Sequence, residues 1–230
     1  MKKIIALILA LCCVFAITSC GELDPLEEFS KYYAASEPTK VVTSTTTTFG
    51  GASFKSISTL VTGVLNDGSA ATVLTYDYEV LKSVKKGAGS VITPITETVS
   101  GSREYVEGKG ERIDGDKWDE NGVNFAPKKG SIALNLDETK IKDLVYSENN
   151  GIHTITFKVE AANTGAVFGA DSAIASDATV VIIGNGEVVT ALSISYTEAI
   201  PAEEGVTYPA ANVTVNVAYY YAVEPVSLVK

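Results

Sequence analysis

The chain has 230 residues, of which 46% are hydrophobic and 20% charged, and its formal net charge at pH 7 is −10. This length is normal for one domain, or for two small ones, and it is ample for a sizeable core. Nucleic acid and anionic lipid headgroups both require basic surfaces, so the acidic balance disfavours both as partners. We therefore expect no nucleic-acid partner.

The first 20 residues have the layout of a secretory signal. Lys2 and Lys3 precede an almost wholly apolar run, Ile4 to Phe15, and small residues follow up to Cys20. The run is shorter than the ~20 apolar residues that a membrane-spanning helix needs. The last four residues of this segment, ITSC, resemble the lipobox of bacterial lipoproteins. An ordinary cleaved signal with a cysteine nearby is the alternative interpretation.

The lipobox resemblance implies three segments and a location. Residues 1–19 would be the signal peptide, residues 20–25 a lipidated tether, and residues 26–230 a single β-rich domain. In lipoproteins the signal is cleaved before the cysteine and its thiol is diacylated, so Cys20 would anchor the domain to the outer side of a bacterial membrane. Two acyl chains suffice for a stable anchor. The other two cysteines lie within the signal, so the mature chain could not form a disulfide.

An amphipathic helix is predicted directly after the tether. Asp24 suits the N-cap, Pro25 suits the first turn, and the pattern ends near Ser36. We expect its apolar stripe to pack on a following sheet. A helix lying on the membrane surface is the alternative, although such helices prefer Lys and Arg on the polar face and acids lead here. The apolar positions at helical spacing are Leu26, Phe29, Tyr32 and Tyr33.

From Lys40 onward, β-branched runs and apolar–polar alternation predict nine or ten strands. Pro94 confines the strand over residues 91–99 to an edge or a bulge. Residues 137–144 form a candidate short helix, and residues 163–170 a connector with a helical turn. The strongest turn signals are Gly50-Gly51, Asn66-Asp67-Gly68-Ser69, Gly108-Lys109-Gly110, Asp114-Gly115 and Gly184-Asn185-Gly186.

These elements predict a mainly β fold. Long, mostly sequential antiparallel strands with an N-terminal helix favour a curved antiparallel sheet or half-open β-barrel, with one or two further short helices. A β-sandwich is the rival architecture.

The chain contains little that could perform catalysis. His153 is the only histidine, and it lies in an alternating strand without an evident nucleophile and orienting acid. No Gly-x-Ser-x-Gly elbow, His-Glu-x-x-His motif or phosphate-binding glycine loop is present. We therefore predict no enzymatic activity and no cofactor.

One acidic cluster has residue types that could bind calcium: Asp114, Asp116, Asp119 and Glu120. An EF-hand-type loop beginning at Asp114 would need an oxygen ligand at its fifth position and glycine at its sixth. Trp118 and Asp119 stand at these two places. We predict a solvated hairpin and no metal site.

The order of these parts resembles the LolA/LppX-like superfamily of extracytoplasmic lipoproteins over most of residues 31–230. The features that carry the resemblance are the lipobox, the short helix, the Thr-rich strands, the Tyr105–Trp118 zigzag, the strand from Gly151 to Val159 and the closing strand from Val213 to Tyr221. In that superfamily a half-open antiparallel barrel, covered by helices on its concave face, holds acyl chains or another hydrophobic ligand. The resemblance implies an anchored, non-enzymatic protein that binds a lipid or other hydrophobic ligand.

The resemblance also implies a ligand cavity, lined by the apolar side of the best-patterned strands. The alternative is that these side chains fill a closed core. A second functional hypothesis is a structural or adhesive surface module that binds a protein or glycan partner, with a closed core and an exposed aromatic or acidic patch. The candidate lining residues are Tyr76, Tyr78, Phe157, Leu192, Ile194, Val215, Val217 and Tyr219.

Overall fold

The computed structural model describes residues 24–50, 52–85, 92–128, 131–199, 210–223 and 225–229. The signal peptide, Cys20 and most of the tether lie outside these ranges, so cleavage and lipidation stay predictions. No helix within the described ranges combines the length and the apolar character needed to cross a membrane.

Ten antiparallel strands form one sheet that is not closed, which confirms the mainly β prediction. Strands β1 to β5 and strands β6 to β10 each run as a meander of sequential neighbours, and the pairing of β1 with β10 joins these two halves. The strand order across the sheet is β5-β4-β3-β2-β1-β10-β9-β8-β7-β6. The strands are β1 Lys40–Phe49, β2 Ala52–Val64, β3 Ala70–Lys85, β4 Ile92–Val106, β5 Gly110–Ile113, β6 Ile141–Asn149, β7 Ile152–Val159, β8 Ala178–Gly184, β9 Val189–Glu198 and β10 Ala211–Tyr220.

The predicted N-terminal helix is present as α1, Pro25–Ala35. Its N-cap is Asp24, whose carboxylate accepts a hydrogen bond from the backbone N–H of Leu26 at 2.9 Å. The predicted helical turn after β7 is also present, as α2, Thr164–Phe168, flanked by two short 3-10 turns.

One local prediction is wrong. Residues 137–144 do not form a helix: a single 3-10 turn, Glu138–Lys140, leads directly into β6. Pairing of Ile141 with Val159 decides the structure here, and Asp143 has a φ of +53°, which a helix does not allow. The edge position predicted from Pro94 is confirmed for residues 92–99: they belong to β4, which continues without a break to Val106 along its pairing with β3, and no described strand pairs with their other side.

The sheet has two apolar clusters, one on each face. We call the face against which α1 packs the inner face and the opposite one the outer face. The main core lies on the inner face of the C-terminal half, where α1 and residues 132–136 cover strands β6 to β10. Its most buried members are Phe29, Tyr33, Ile155, Phe157, Val159, Val167, Val180, Ile182 and Val189.

The second cluster lies on the outer face of the N-terminal half. Its members Val61 and Val73 directly follow or precede Leu60 and Leu74, which lie on the inner face, so their side chains point to the opposite face. Its cover is residues 225–229, here called the C-terminal strap, whose Val226 is buried against β3 and β4. The backbone N–H of Val226 donates to the carbonyl of Val64 at 3.2 Å.

A buried ion pair fastens the far end of the strap. Glu104, which is fully buried, accepts hydrogen bonds from the Arg112 guanidinium and from the backbone N–H of Val229, the latter at 2.6 Å. Arg112 also donates to the carbonyl of Val229 at 2.9 Å and lies over the Trp118 ring. The side chains of Glu104 and Arg112 therefore hold both backbone groups of Val229.

Candidate functional site

The inner face of the C-terminal half is closed by α1. Tyr32 lies directly over Gly184, where an added Cβ would come within 2.7 Å of the ring. The Ser36 hydroxyl, at the end of α1, accepts a hydrogen bond from the backbone N–H of Val189 at 3.0 Å. These two contacts lie one turn apart at the C-terminal end of the helix and fix that end on β8 and β9. The apolar stripe of the helix belongs to the main core, which confirms the prediction that it packs on the sheet.

Most of the predicted lining residues lie under this helix. Phe157, Leu192 and Tyr219 are 0%, 6% and 7% exposed in the main core, and Ile194 and Val217 pack against it. Val215 is half-buried beside Ile194 on the same face. A ligand that contacted the three buried side chains would have to displace α1. Contact of these six residues with a ligand stays a prediction.

Burial also governs the tyrosine hydroxyls of the main core. It raises the pKa of Tyr33 and of Tyr219 well above the usual value for a phenol. The Tyr33 hydroxyl is buried and has no hydrogen-bond partner among the described residues. These phenols stay neutral at physiological pH, so they act as packing groups rather than as acids or bases.

The other two predicted residues, Tyr76 and Tyr78, lie on the inner face of β3 and not under α1. Their ring centroids are 6.3 Å apart, with an angle of 26° between the ring planes. Tyr78 is 40% exposed. We call these two side chains the tyrosine platform.

Gly101 on β4 sets the position of the platform. It is the cross-strand neighbour of Tyr76, and an added Cβ would lie 2.3 Å from the phenol end of that ring. The Tyr76 ring therefore lies across the β4 backbone, where any other residue would obstruct it. Gly101 was not among the predicted site residues. An isolated glycine between strand-like residues was the signal that could have found it.

The eight predicted residues thus form two groups rather than one lining. Strands β2 and β1 separate the platform on β3 from the residues on β10. At ~4.8 Å per strand, the two groups are about 14 Å apart across the sheet. The inner-face positions between them carry mostly hydroxyl groups: Thr43, Thr45, Thr47, Ser56 and Ser58.

Open clefts in the described part of the chain include a smaller and a larger one. The smaller, of about 250 Å³, lies beside the end of α1 and is lined by Ser36, Glu37 and Lys128, among others. The larger, of about 510 Å³, lies along β3 and β4 next to Val229, and we call it the edge groove. Its lining includes Asp77, Ser100, Ser102 and Asp114. The lining of the smaller cleft is mainly polar, whereas more of the exposed lining of the edge groove is apolar than polar.

His153 and the acidic cluster take local structural roles. The imidazole Nδ1 of His153 lies 2.9 Å from the Tyr146 hydroxyl, and its ring meets the edge of Tyr32. The Asp114 carboxylate accepts a hydrogen bond from the backbone N–H of Ser102 at 2.6 Å. The Asp119 carboxylate accepts one from the backbone N–H of Asn121 at 3.0 Å. Within the described ranges, no three His, Cys, Asp or Glu side chains are grouped so as to hold a metal ion.

No family model and no curated protein matches this chain. Among solved structures, it is similar to a DUF1329 family protein from Desulfovibrio piger, with 9% identity, a TM-score of 0.25, and coverage of 85% of this chain and 91% of that one. It is also similar to an outer membrane lipoprotein-sorting protein domain from Vibrio parahaemolyticus, with 8% identity, a TM-score of 0.25, and coverage of 86% and 93%. A third structure is MucB in complex with MucA, with 8% identity, a TM-score of 0.15, and coverage of 85% and 93%. At these scores the fold assignment rests on the sheet itself.

Proposed function

We propose that this chain is a lipid-anchored protein of the bacterial envelope that binds an apolar ligand, a lipid or another molecule with a flat hydrophobic face, on the tyrosine platform. The observation that carries the proposal is the open aromatic surface of Tyr76 and Tyr78 on the inner face. Rings that lie against a sheet backbone present their apolar faces to a ligand at little further cost in side-chain entropy. On the inner face of the C-terminal half, α1 already occupies the place of a ligand.

The proposed anchor suits this role. Cys20 precedes the N-cap Asp24 by four residues, a span of at most ~14 Å when extended. A lipid on Cys20 would hold α1, and the sheet to which it is fixed, close to the bilayer surface. An apolar ligand could then pass between membrane and platform over a short distance. The proposal requires neither catalysis nor a cofactor.

Two measurements test the proposal. Mass spectrometry of the full chain purified from native membranes is expected to detect a co-purified apolar molecule. Replacing Tyr76 and Tyr78 together by alanine is expected to remove it. Tyr220→Ala is the matched control, because Tyr220 is also an exposed strand tyrosine but lies on the outer face. Equal recovery of the molecule from the double variant and the control would contradict the proposal.

A glycan is the second candidate ligand, and the hydroxyl groups beside the platform favour it. Ser58 and Ser56 are the cross-strand neighbours of Tyr76 and Tyr78. Aromatic rings flanked by hydrogen-bonding groups suit a sugar ring, which has an apolar face and a polar rim. Binding of soluble oligosaccharides that depends on both tyrosines, with no apolar molecule co-purified, would favour this candidate over the first.

A further inference from the structure

The two edges of the sheet are protected to different degrees. At the β6 edge, the register shifts between Lys142 and Val145, and Asp143 between them has a positive φ. Ion pairs of Lys142 with Glu160 and of Lys158 with Asp143 lie along the same edge. A bulge and a row of charges are the usual devices by which a protein prevents an edge strand from pairing.

The opposite edge is only partly occupied. Strand β5 pairs with β4 over residues 103–106 alone, whereas β4 extends back to Ile92. No strand in the described part of the chain pairs with residues 92–101 on the side away from β3. This is a long open edge, on which Pro94 lacks an N–H and Glu97 carries a charge.

The hydrogen bonds of neighbouring residues show which backbone groups of this segment point away from β3, toward the open edge. The N–H of Glu107 donates to the carbonyl of Ala70 on β3. The carbonyl of Ser102 instead accepts from Asp114 on the β5 side. In an antiparallel strand, every second residue directs both its N–H and its C=O to the same neighbouring strand. The backbone groups of the even-numbered residues of β4 therefore point away from β3, toward the open edge.

This parity defines a short attachment segment. Thr96, Thr98 and Ser100 each present an N–H and a C=O to the open side. Pro94 bounds the segment at one end, since it has no N–H. At the other end the Asp114 carboxylate already occupies the N–H of Ser102.

We infer that this segment of β4 binds an extended peptide that carries a basic side chain, and that the peptide adds a further strand to the sheet. Backbone hydrogen bonds to Thr96, Thr98 and Ser100 would supply affinity. A lysine or arginine opposite Ser100 on the outer face would extend over this small residue into the edge groove, where Asp77 and Asp114 lie.

Charge distinguishes the peptide from a second copy of this chain. Pairing two β4 edges would bring together two molecules that each carry a formal net charge of −10. The Asp77 side chain is exposed, and its carboxylate forms no hydrogen bond or ion pair with another described residue. A basic peptide complements this surface, whereas a second copy would be repelled by it. The inference does not depend on the proposed ligand of the inner face.

The test uses full-length protein in detergent and the acetylated, amidated heptapeptide Thr-Val-Thr-Lys-Thr-Val-Thr, with binding followed by fluorescence anisotropy. Thr98→Pro removes one N–H on the open edge without removing a hydrogen bond to β3. We expect it to weaken binding at least about tenfold. Thr98→Val, which keeps the N–H, is expected to stay within about twofold of the wild type.

Two further arms keep the test independent of folding. N-methylation of those peptide amides that face β4 should abolish binding, whereas methylation of the intervening amides should not. Asp77→Asn should weaken binding of the lysine peptide about two- to fivefold and leave binding of a glutamine version unchanged. Equal affinity of the two Thr98 variants, or equal affinity of wild-type protein for the lysine and glutamine peptides, would overturn the inference. So would a concentration-dependent dimer, in sedimentation, that Thr98→Pro abolishes.

Discussion

The two halves of the sheet bury opposite faces. In the C-terminal half, α1 covers the inner face, and side chains such as Phe157 and Val180 are fully buried. In the N-terminal half, the strap covers the outer face, and the inner face carries the partly exposed tyrosine platform. Both halves alternate apolar and polar residues, so alternation alone does not specify which face becomes core. The segment that packs on each half specifies it.

This difference explains why a ligand surface can exist in one half and not in the other. A single amphipathic helix covers about one stripe of side chains, and α1 is fixed over β8 and β9. The strap reaches β2 to β5 only on their outer face. On the inner face of β3, Thr72 is buried and its hydroxyl donates to the Asn124 side chain at 2.8 Å, whereas Tyr76 and Tyr78 remain partly exposed.

The largest effect is expected from breaking the cover of the C-terminal half. Phe29 is fully buried in the main core, so Phe29→Ala should lower the free energy of unfolding by about 3–5 kcal/mol, the cost of a large cavity. Urea denaturation measures it. Leu228→Ala, in the half-buried part of the strap, should cost clearly less. Equal losses would mean that the two covers contribute equally.

Breaking the clamp on the strap should have the next largest effect. Glu104→Ala leaves Arg112 without its carboxylate and removes the acceptor for the Val229 N–H, so we expect a loss of about 3 kcal/mol. Hydrogen exchange at Val226 and Val229 should accelerate at the same time. Glu160→Ala is the control, because it breaks a half-exposed pair with Lys142 and should cost under about 1 kcal/mol.

A smaller effect should come from disturbing the platform. Gly101→Ala places a methyl group against the Tyr76 ring, which can move away since it is a side-chain end. We expect a loss of about 1 kcal/mol and weaker binding of the ligand. In a double-mutant cycle, Tyr76→Ala should remove most of this cost. If the two losses add, Tyr76 does not lie over Gly101.

Much of this architecture follows from local sequence signals. The N-cap Asp24 with Pro25 defined the start of α1, and Asn66 to Ser69 defined a hairpin that the structure contains. These signals are reliable because they act between residues a few positions apart. The helix predicted over residues 137–144 was wrong because sheet pairing with β7 outweighs local preference.

The site was less predictable, because it depends on contacts between distant segments. No local pattern specifies that the strap crosses to Glu104, 125 residues away. One signal was present: Arg103-Glu104 and Glu111-Arg112 are mirrored about the turn at Gly108, and the hairpin pairs them. That pattern predicts the ion pairs, but not that one of them would hold the end of the chain.

The smallest expected effect concerns the hydroxyl of Tyr33, and it has the opposite sign. This group is buried without a partner among the described residues, so Tyr33→Phe should raise the free energy of unfolding by about 1 kcal/mol at pH 8. Burial raises the pKa of Tyr33, so the unfolded chain loses the phenol proton near pH 10 while the folded chain retains it. The wild type therefore loses stability as the pH rises above about 10.

Phenylalanine has no proton to lose, so the advantage of the variant should grow with pH. The increase should approach about 1.4 kcal/mol per pH unit above pH 10. Urea denaturation of both proteins at pH 8 and pH 11 measures it. Tyr219, whose pKa is also raised by burial, is present in both and cancels in the comparison. An advantage that stays constant between the two pH values would mean that the Tyr33 hydroxyl ionises as readily in the folded core as in water. The main core would then be open to solvent at α1, and the contrast between a covered and an open half of the inner face would not hold.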